Sequence, residues 1–192
     1  MLLDDVMPVY QFQVVRSTLV RAGPEPIFRA IRETKAADIP VFILLFWLRE
    51  LPGRLAGRGR RYFSGGRTLF EQAVDDLGFI VLAEETDREV VLGAVAQWWT
   101  LFGARFYRVR DAEEFLRVDP AGYAKAAGNF RVEMDTAGGW STLRHETRIY
   151  AADPATRKKF AIYWWFIYPG VALIRRMWLR SIKRRAEAGE LS

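Results

Sequence analysis

The chain carries a single histidine, His145, and no cysteine. Disulfides, thiolate metal sites and Cys nucleophiles are therefore excluded, two-His metal sites lack a second histidine, and Ser–His–Asp chemistry has nowhere to occur except around that one position. An imidazole at neutral pH can orient a carbonyl or shuttle a proton. His145 lies within Ser141-Thr142-Leu143-Arg144-His145-Glu146-Thr147-Arg148-Ile149. Period-two alternation puts Leu143, His145, Thr147 and Ile149 on one strand face and Arg144, Glu146 and Arg148 on the other. The first set is the more apolar, so His145 is expected to point inward. No carboxylate is spaced to orient its ring, and a histidine satisfied by a neighbour such as Thr147 is the simpler reading beside a catalytic one.

Other chemistry-bearing signals are weaker. Asp75-Asp76 and Glu84-Glu85 are adjacent in sequence, so the members of each pair diverge on a helix or strand rather than share a substrate. Gly57-Arg58-Gly59 and Gly65-Gly66 lack both the strand-to-helix setting and the Lys-Ser/Thr of a phosphate loop. No His, Asp and Glu spacing matches a metal site, and we expect neither metal nor cofactor. Tyr163-Trp164-Trp165-Phe166 beside Lys158 and Lys159 could stack nucleobases, but reads more simply as a core stripe plus one exposed Trp.

These residues sit in a chain of 192, of which 51% are apolar and 27% charged. That is enough apolar material for a sizeable core and excludes global disorder. The net charge of +6 is unevenly distributed. Residues 157–185 hold Arg157, Lys158, Lys159, Arg175, Arg176, Arg180, Lys183, Arg184 and Arg185 with no acid, a local +9 that leaves −3 for the remainder. Arg54, Arg58, Arg60, Arg61 and Arg67 form a second acid-free stretch. Asp4 and Asp5 precede the first basic residue, Arg16, and no apolar targeting region follows a charged start. The longest apolar runs, 41–48 and 160–174, fall short of the roughly 20 residues that span a bilayer. A cytoplasmic location is expected.

The elements that must position His145 follow from periodicity and turn residues. Residues 10–21 read as a strand ending at Ala22-Gly23-Pro24. Pro24 and Pro26 open a short helix with Ile27, Phe28 and Ile31 on one face. Asp38-Ile39-Pro40 starts a second helical segment over 41–51, 54–67 is a loop, and a helix follows from 68 to about 78. Strands are expected over 79–85 and 90–99, joined by Thr86-Asp87-Arg88-Glu89, with a short one over 104–109. Asp111 and Glu114 form an N-cap and capping box for a brief helix. Strands over 123–135 and 140–151 flank Thr136-Ala137-Gly138-Gly139. Asp153-Pro154 opens a final helix of about 30 residues, roughly 45 Å long. Phe160, Tyr163, Trp164, Ile167, Val171, Ile174, Trp178 and Ile182 form its single apolar stripe, and Pro169 is expected to kink it.

A strand, short helices, an antiparallel sheet and one long terminal helix together resemble the helix-grip fold of the START and plant-pollen-allergen superfamily, also called SRPBCC. The resemblance is carried by Val20-Arg21-Ala22-Gly23-Pro24-Glu25-Pro26-Ile27-Phe28, by Gly78-Phe79, and by Glu146-Thr147-Arg148-Ile149-Tyr150 before the basic helix. Phe160, Tyr163-Trp164, Pro169-Gly170 and Ile174-Arg175-Arg176 are similar to bacterial polyketide-cyclase-like members. It implies a single START-like ligand-binding domain over 1–192, of α+β class, with a curved antiparallel sheet of about six strands packed on a long C-terminal helix. Segment 39–77 is larger than the usual helical pair.

In this superfamily an open apolar cavity binds sterols, lipids or polyketides, which implies the same role here. The strand over 123–135 puts Phe130, Val132 and Met134 on one face, preceded by the small Ala124, Ala126 and Gly128. A cavity lined by Phe130, Val132, Met134, His145, Thr147, Tyr163, Trp164 and Ile167 is expected, unless Trp98, Phe160 and Trp164 fill it. The expected function is binding of a small hydrophobic molecule, lipid or polyketide-like, between sheet and helix. A cyclase or aromatase using His145, or a membrane-surface interaction protein with a filled core, are the alternatives. The expected partners are that ligand and an anionic membrane surface reached through Arg175, Arg176, Lys183 and Arg184. Nucleic acid would require a groove-reading element that the sequence does not present.

Overall fold

The computed structural model describes residues 1–45, 47, 66–100, 103–136 and 138–189. Most of the arginine- and glycine-rich stretch expected to be a loop, 54–67, lies outside them, as does the end of the second expected helix, which is helical over 40–45. The described elements run α1 (Leu2–Val6), β1 (Phe12–Val20), α2 (Pro24–Glu33), a 3₁₀ turn (Ala36–Asp38), α3 (Leu69–Asp75), β2 (Ile80–Glu85), β3 (Glu89–Gln97), β4 (Arg105–Tyr107), α4 (Ala112–Arg117), β5 (Ala124–Met134), β6 (Ser141–Tyr150) and α5 (Pro154–Gly189).

All six strands join one antiparallel sheet in the spatial order β1-β6-β5-β3-β2, with β4 paired to β3. The fold is α+β, a curved sheet gripping a long C-terminal helix. Hairpins account for β2–β3 and β5–β6. In the first, Asp87 takes a positive φ of 54°; in the second, Gly138 and Gly139 sit at 76° and 79°, where glycine carries no Cβ penalty.

Local capping explains where the helices begin. Thr68 Oγ1 accepts from Glu71 N at 3.2 Å and Glu71 Oε2 accepts from Thr68 N at 3.0 Å, a complete capping box for α3. At α4 only half of the expected box forms. Asp111 accepts from Glu114 N at 2.8 Å, but Glu114 reaches past Asp111 to the backbone N–H and Nε of Arg110, both at 2.9 Å. The Arg110 side chain draws the carboxylate away. At α5, Asp153 accepts from Thr156 N at 2.7 Å and from Gly122 N at 3.1 Å, tying the helix start to a turn. Hydrogen bonding to Thr156, side chain and backbone, and then to Gly122 lowers the Asp153 carboxyl to about 2. Pro169 sits inside α5 on its exposed side, where water can satisfy the Trp165 carbonyl that the proline cannot bond.

Both faces of the sheet are covered, so its central strands are buried almost continuously. On one face α5 and α2 cover Val90, Phe130, Val132 and Leu143. On the other, α1 and α4 cover Val91, Val95 and Ala127 with Leu3, Met7 and Phe115. No periodic signal in the sequence marks α1, and its docking explains why Glu146 and Arg148, on the second face of β6, are buried rather than solvated. Arg148 Nε donates to Glu146 Oε1 at 2.6 Å, its Nη2 to Asp4 Oδ1 at 2.7 Å and its Nη1 to the Met7 carbonyl at 2.9 Å. Glu89 accepts from Leu2 N at 3.0 Å, Leu3 N at 3.3 Å and Asn129 Nδ2 at 2.6 Å. Burial would raise the Glu146 carboxyl, but hydrogen bonds from Arg144, Gln13 and Arg148 hold it below its ordinary range.

Candidate functional site

A cavity of about 300 Å³ lies between the sheet and α5. Its floor comes from the register of three strands. Ala94 faces Ala126 and Ala126 faces Ile149; Leu92 faces Gly128 and Gly128 faces Thr147; Phe130 faces His145. Small residues at 126 and 128 keep the floor low. At Gly128 a Cβ would lie 3.0 Å from Thr147 Oγ1 and 3.3 Å from the Glu146 carbonyl, tighter than side chains ordinarily tolerate.

The facing wall is the inward stripe of α5, from Phe160 through Ile167 and Val171 to Trp178. Leu69 and Leu77 from α3 and its C-terminal flank, Phe42, and Phe79 with Phe106 near the sheet edge close the remaining side. Phe160 anchors one end: its ring centroid lies 4.9 Å from Phe12, 5.7 Å from Trp164 and 6.3 Å from Trp98. These aromatics form an end wall, and the volume beyond them stays open.

His145, Thr147 and Arg175 give this end of the cavity its chemistry. The His145 ring stacks on Phe130 with centroids 4.4 Å apart, and Trp178 lies 5.8 Å away. Its Nδ1 bonds the Asn129 carbonyl, which can only accept, so Nδ1 carries the proton and Nε2 keeps a lone pair. Thr147 Oγ1 is 3.5 Å from Nε2. Burial holds the imidazole well below its ordinary value of 6.5; the nearby Arg175 cation pushes the same way, and the Asn129 carbonyl opposes both. His145 is therefore neutral at pH 7. Arg175 is the one charged side chain among the described lining residues. Burial lowers its guanidinium to about 10, which leaves it a cation at neutral pH.

Of the eight residues expected to line the cavity, Phe130, His145, Thr147, Tyr163, Trp164 and Ile167 are brought together there. Val132 and Met134 are not. Val132 is buried beneath α2 and the end of α5, with Ile27, Leu179 and Ile182. Met134, 56% exposed, lies at the hairpin end of β5. Strand alternation places a residue on a face but not under the helix that crosses it. Arg175, assigned by its charge to the surface, instead lines the cavity; its four-residue steps from Ile167 and Val171 are the signal that places it there. Of the other three basic residues assigned to a surface role, Arg176 and Arg184 are exposed, whereas Lys183 pairs with Glu187 at 3.1 Å and donates to the Leu19 carbonyl at 2.6 Å.

The outward side of α5 carries a different surface. At 100° per residue, Ile162, Trp165, Phe166, Pro169 and Leu173 share one face opposite the cavity stripe. Trp165 and Phe166 are 74% and 70% exposed, with ring centroids 4.9 Å apart. Lys158 precedes this apolar band and Arg176, Arg180 and Arg184 follow it, all exposed, and the first acid of the helix is Glu187. Ile43, Leu44 and Trp47 are also exposed, and they flank in sequence Leu45, whose Cδ1 would meet a Cβ on Gly170 at 3.2 Å. No helix among the described residues is long and apolar enough to cross a membrane.

No protein-family model matches the chain, and no curated protein matches it. Among solved structures, protein MLL2253 from Mesorhizobium loti is similar over 92% of this chain and 98% of its own, at 14% identity and a TM-score of 0.41. TTHA0849 from Thermus thermophilus is similar over 93% and 99%, at 10% identity and a TM-score of 0.38. The di-domain ARO/CYC BexL from the BE-7585A biosynthetic pathway is similar over 92% of this chain and 47% of its own, at 13% identity and a TM-score of 0.34.

Proposed function

We propose that the protein binds a small hydrophobic molecule, lipid or polyketide-like, in the cavity between the sheet and α5. The observation that supports this is a volume of about 300 Å³ left open beside Ala126 and Gly128 within a mostly apolar lining. That volume stands at the small end of the range for ligand sites, and a well-packed interior would have filled it. Carriage is favoured over cyclisation because burial makes His145 a weak base and no carboxylate lies beside it, among the described lining residues, to stabilise its protonated form. The test is binding of the neutral dye Nile red, with native mass spectrometry of protein from cells to detect a co-purified ligand. Ala126→Trp fills the floor and is expected to abolish dye binding while the circular dichroism spectrum is kept. Unchanged dye binding in that variant would place the ligand elsewhere.

A second reading concerns where the ligand is exchanged. The outward band of Ile162, Trp165 and Phe166, flanked by Lys158, Arg176 and Arg180, has the chemistry of an anionic membrane surface: aromatic side chains for the interface and cations for the headgroups. We propose that α5 docks there on its outer face while its inner face holds the ligand.

A further inference from the structure

We propose that the cavity is selective for an amphiphile ending in an oxyanion, a carboxylate above all, and that Arg175 is the side chain that recognises it. This rests on the cavity being a ligand site and adds the class of ligand.

The argument starts from how this fold treats its other cations. Arg148 is buried and has Glu146 and Asp4. Lys125 is buried and has Asp119 at 2.9 Å and the Leu116 carbonyl at 3.2 Å. Arg131 and Arg144 each leave Nε buried and unpaired, yet each forms an ion pair through Nη2, with Glu133 and Glu146 respectively. Arg175 breaks this pattern. Its Nε is sealed from solvent with no hydrogen-bond acceptor, and no Asp or Glu among the described residues pairs with it. One turn further along α5, Trp178 Nε1 is likewise sealed without an acceptor. Both residues line the same cavity.

A cation held in an apolar enclosure without a counter-ion is costly, and removing an anion from such a pair is costlier than removing both charges. Arg175 is half-buried and lines the cavity, so an anion bound in that space can reach the guanidinium. The remaining lining is apolar apart from His145, Thr147 and Tyr163, so the rest of the occupant must be apolar too. The neutral His145 supplies only a lone pair at Nε2, which cannot neutralise an oxyanion. An alcohol or an ester of the same shape would bury its carbon chain equally well but leave Arg175 uncompensated. The oxyanion is thus the discriminating group.

The experiment compares matched ligands on the intact protein at about pH 7.5 by calorimetry. Decanoate is set against decanol and methyl decanoate, and 2-naphthoate against methyl 2-naphthoate; the arm that binds tighter identifies the apolar body as alkyl or aromatic. The carboxylate is expected to bind about 10- to 100-fold tighter than its neutral counterparts, the span of a charge-assisted hydrogen bond. Arg175→Gln should bring the ratio of carboxylate to alcohol affinity down to about one, and Arg175→Lys should retain part of the preference. If the Gln variant does not fold, the wild type carries the test alone through the ¹³C-carboxyl shift of bound decanoate, whose titration midpoint should fall below that of the free acid. Equal wild-type affinity for acid and alcohol, or an unlowered midpoint, overturns the proposal and leaves the cavity as a neutral site. Failure of every ligand together with Nile red removes the ligand-site reading itself, and this proposal with it.

Discussion

Phe130 and His145 face each other across β5 and β6, and their rings stack with centroids 4.4 Å apart and planes 21° from parallel. The stack, with Trp178 on its flank, strips water from the imidazole and makes its protonation costly. As pH falls below the ordinary histidine value of 6.5, the unfolded chain takes up a proton before the folded one. Stability from this group is fully present above that pH and declines as pH drops toward the folded-state value. Urea midpoints measured from about pH 7.5 down to 5 should fall, and His145→Gln should flatten the slope in that window. A wild-type slope identical to that of the variant would show that the ring titrates normally.

The same Gln variant bears on function. It keeps hydrogen-bonding capacity at position 145, so affinity for a neutral ligand such as decanol is expected to stay within about 1 kcal/mol of wild type. A rate loss on the order of 10²–10⁴ in any turnover assay, with affinity preserved, would instead mark His145 as a general acid or base.

Gly128→Ala probes the cavity floor. The added methyl presses on Thr147 Oγ1, which can rotate, and on the Glu146 carbonyl, which cannot. The expected destabilisation is about 1–3 kcal/mol by chemical denaturation, the usual cost of overpacking. A neutral or stabilising result would mean that β5 and β6 separate there more easily than their register implies.

Arg148→Ala leaves Glu146 buried without its Nε partner and frees Asp4 and the Met7 carbonyl. Glu146 keeps Arg144 and Gln13 as partners, so the expected cost is about 1.5–3 kcal/mol, that of a lost hydrogen bond to a charged group. Hydrogen exchange should show early loss of protection at the amides of Leu2 and Leu3, which donate to Glu89. Unchanged exchange at those two amides would separate the anchoring of α1 from the Arg148 network.

Vesicle flotation tests the outer face of α5. Binding to phosphatidylserine-containing vesicles should exceed binding to neutral ones and weaken with salt. Trp165→Ala should reduce it by about 1.5–3 kcal/mol if the ring inserts fully. Equal binding to neutral and anionic vesicles would leave the flanking cations without a part in docking.

The long helix, both hairpins and the inward direction of His145 were legible because each has a strong local cause. Asp153 and Pro154 start α5, its stripe repeats at helical spacing, and glycines turn the hairpin after β5. The rest depended on contacts distant in sequence. α1 has five residues, too few for a periodic signal, and is held by Glu89 and Arg148 from strands far along the chain. Without it, Glu146 and Arg148 look like a solvated face. Met134 and Arg175 show the same limit from two sides. Alternation put Met134 on the correct face but at the exposed hairpin end of the strand, and charge alone assigned to a membrane-facing surface an arginine whose helical phase is that of the cavity wall.

The cavity's facing wall is made almost entirely by α5, 36 residues that follow every strand in the sequence. While the chain is being synthesised, the sheet can therefore close its hairpins and bury its α1 side before α5 covers the opposite side. Until residues 154–189 emerge, Ala126 and Ile149 lack the cover of Phe160 in a chain that is otherwise largely paired. An abandoned translation product ending before Pro154 would present that surface permanently, and so should be a substrate for chaperones and prone to self-association.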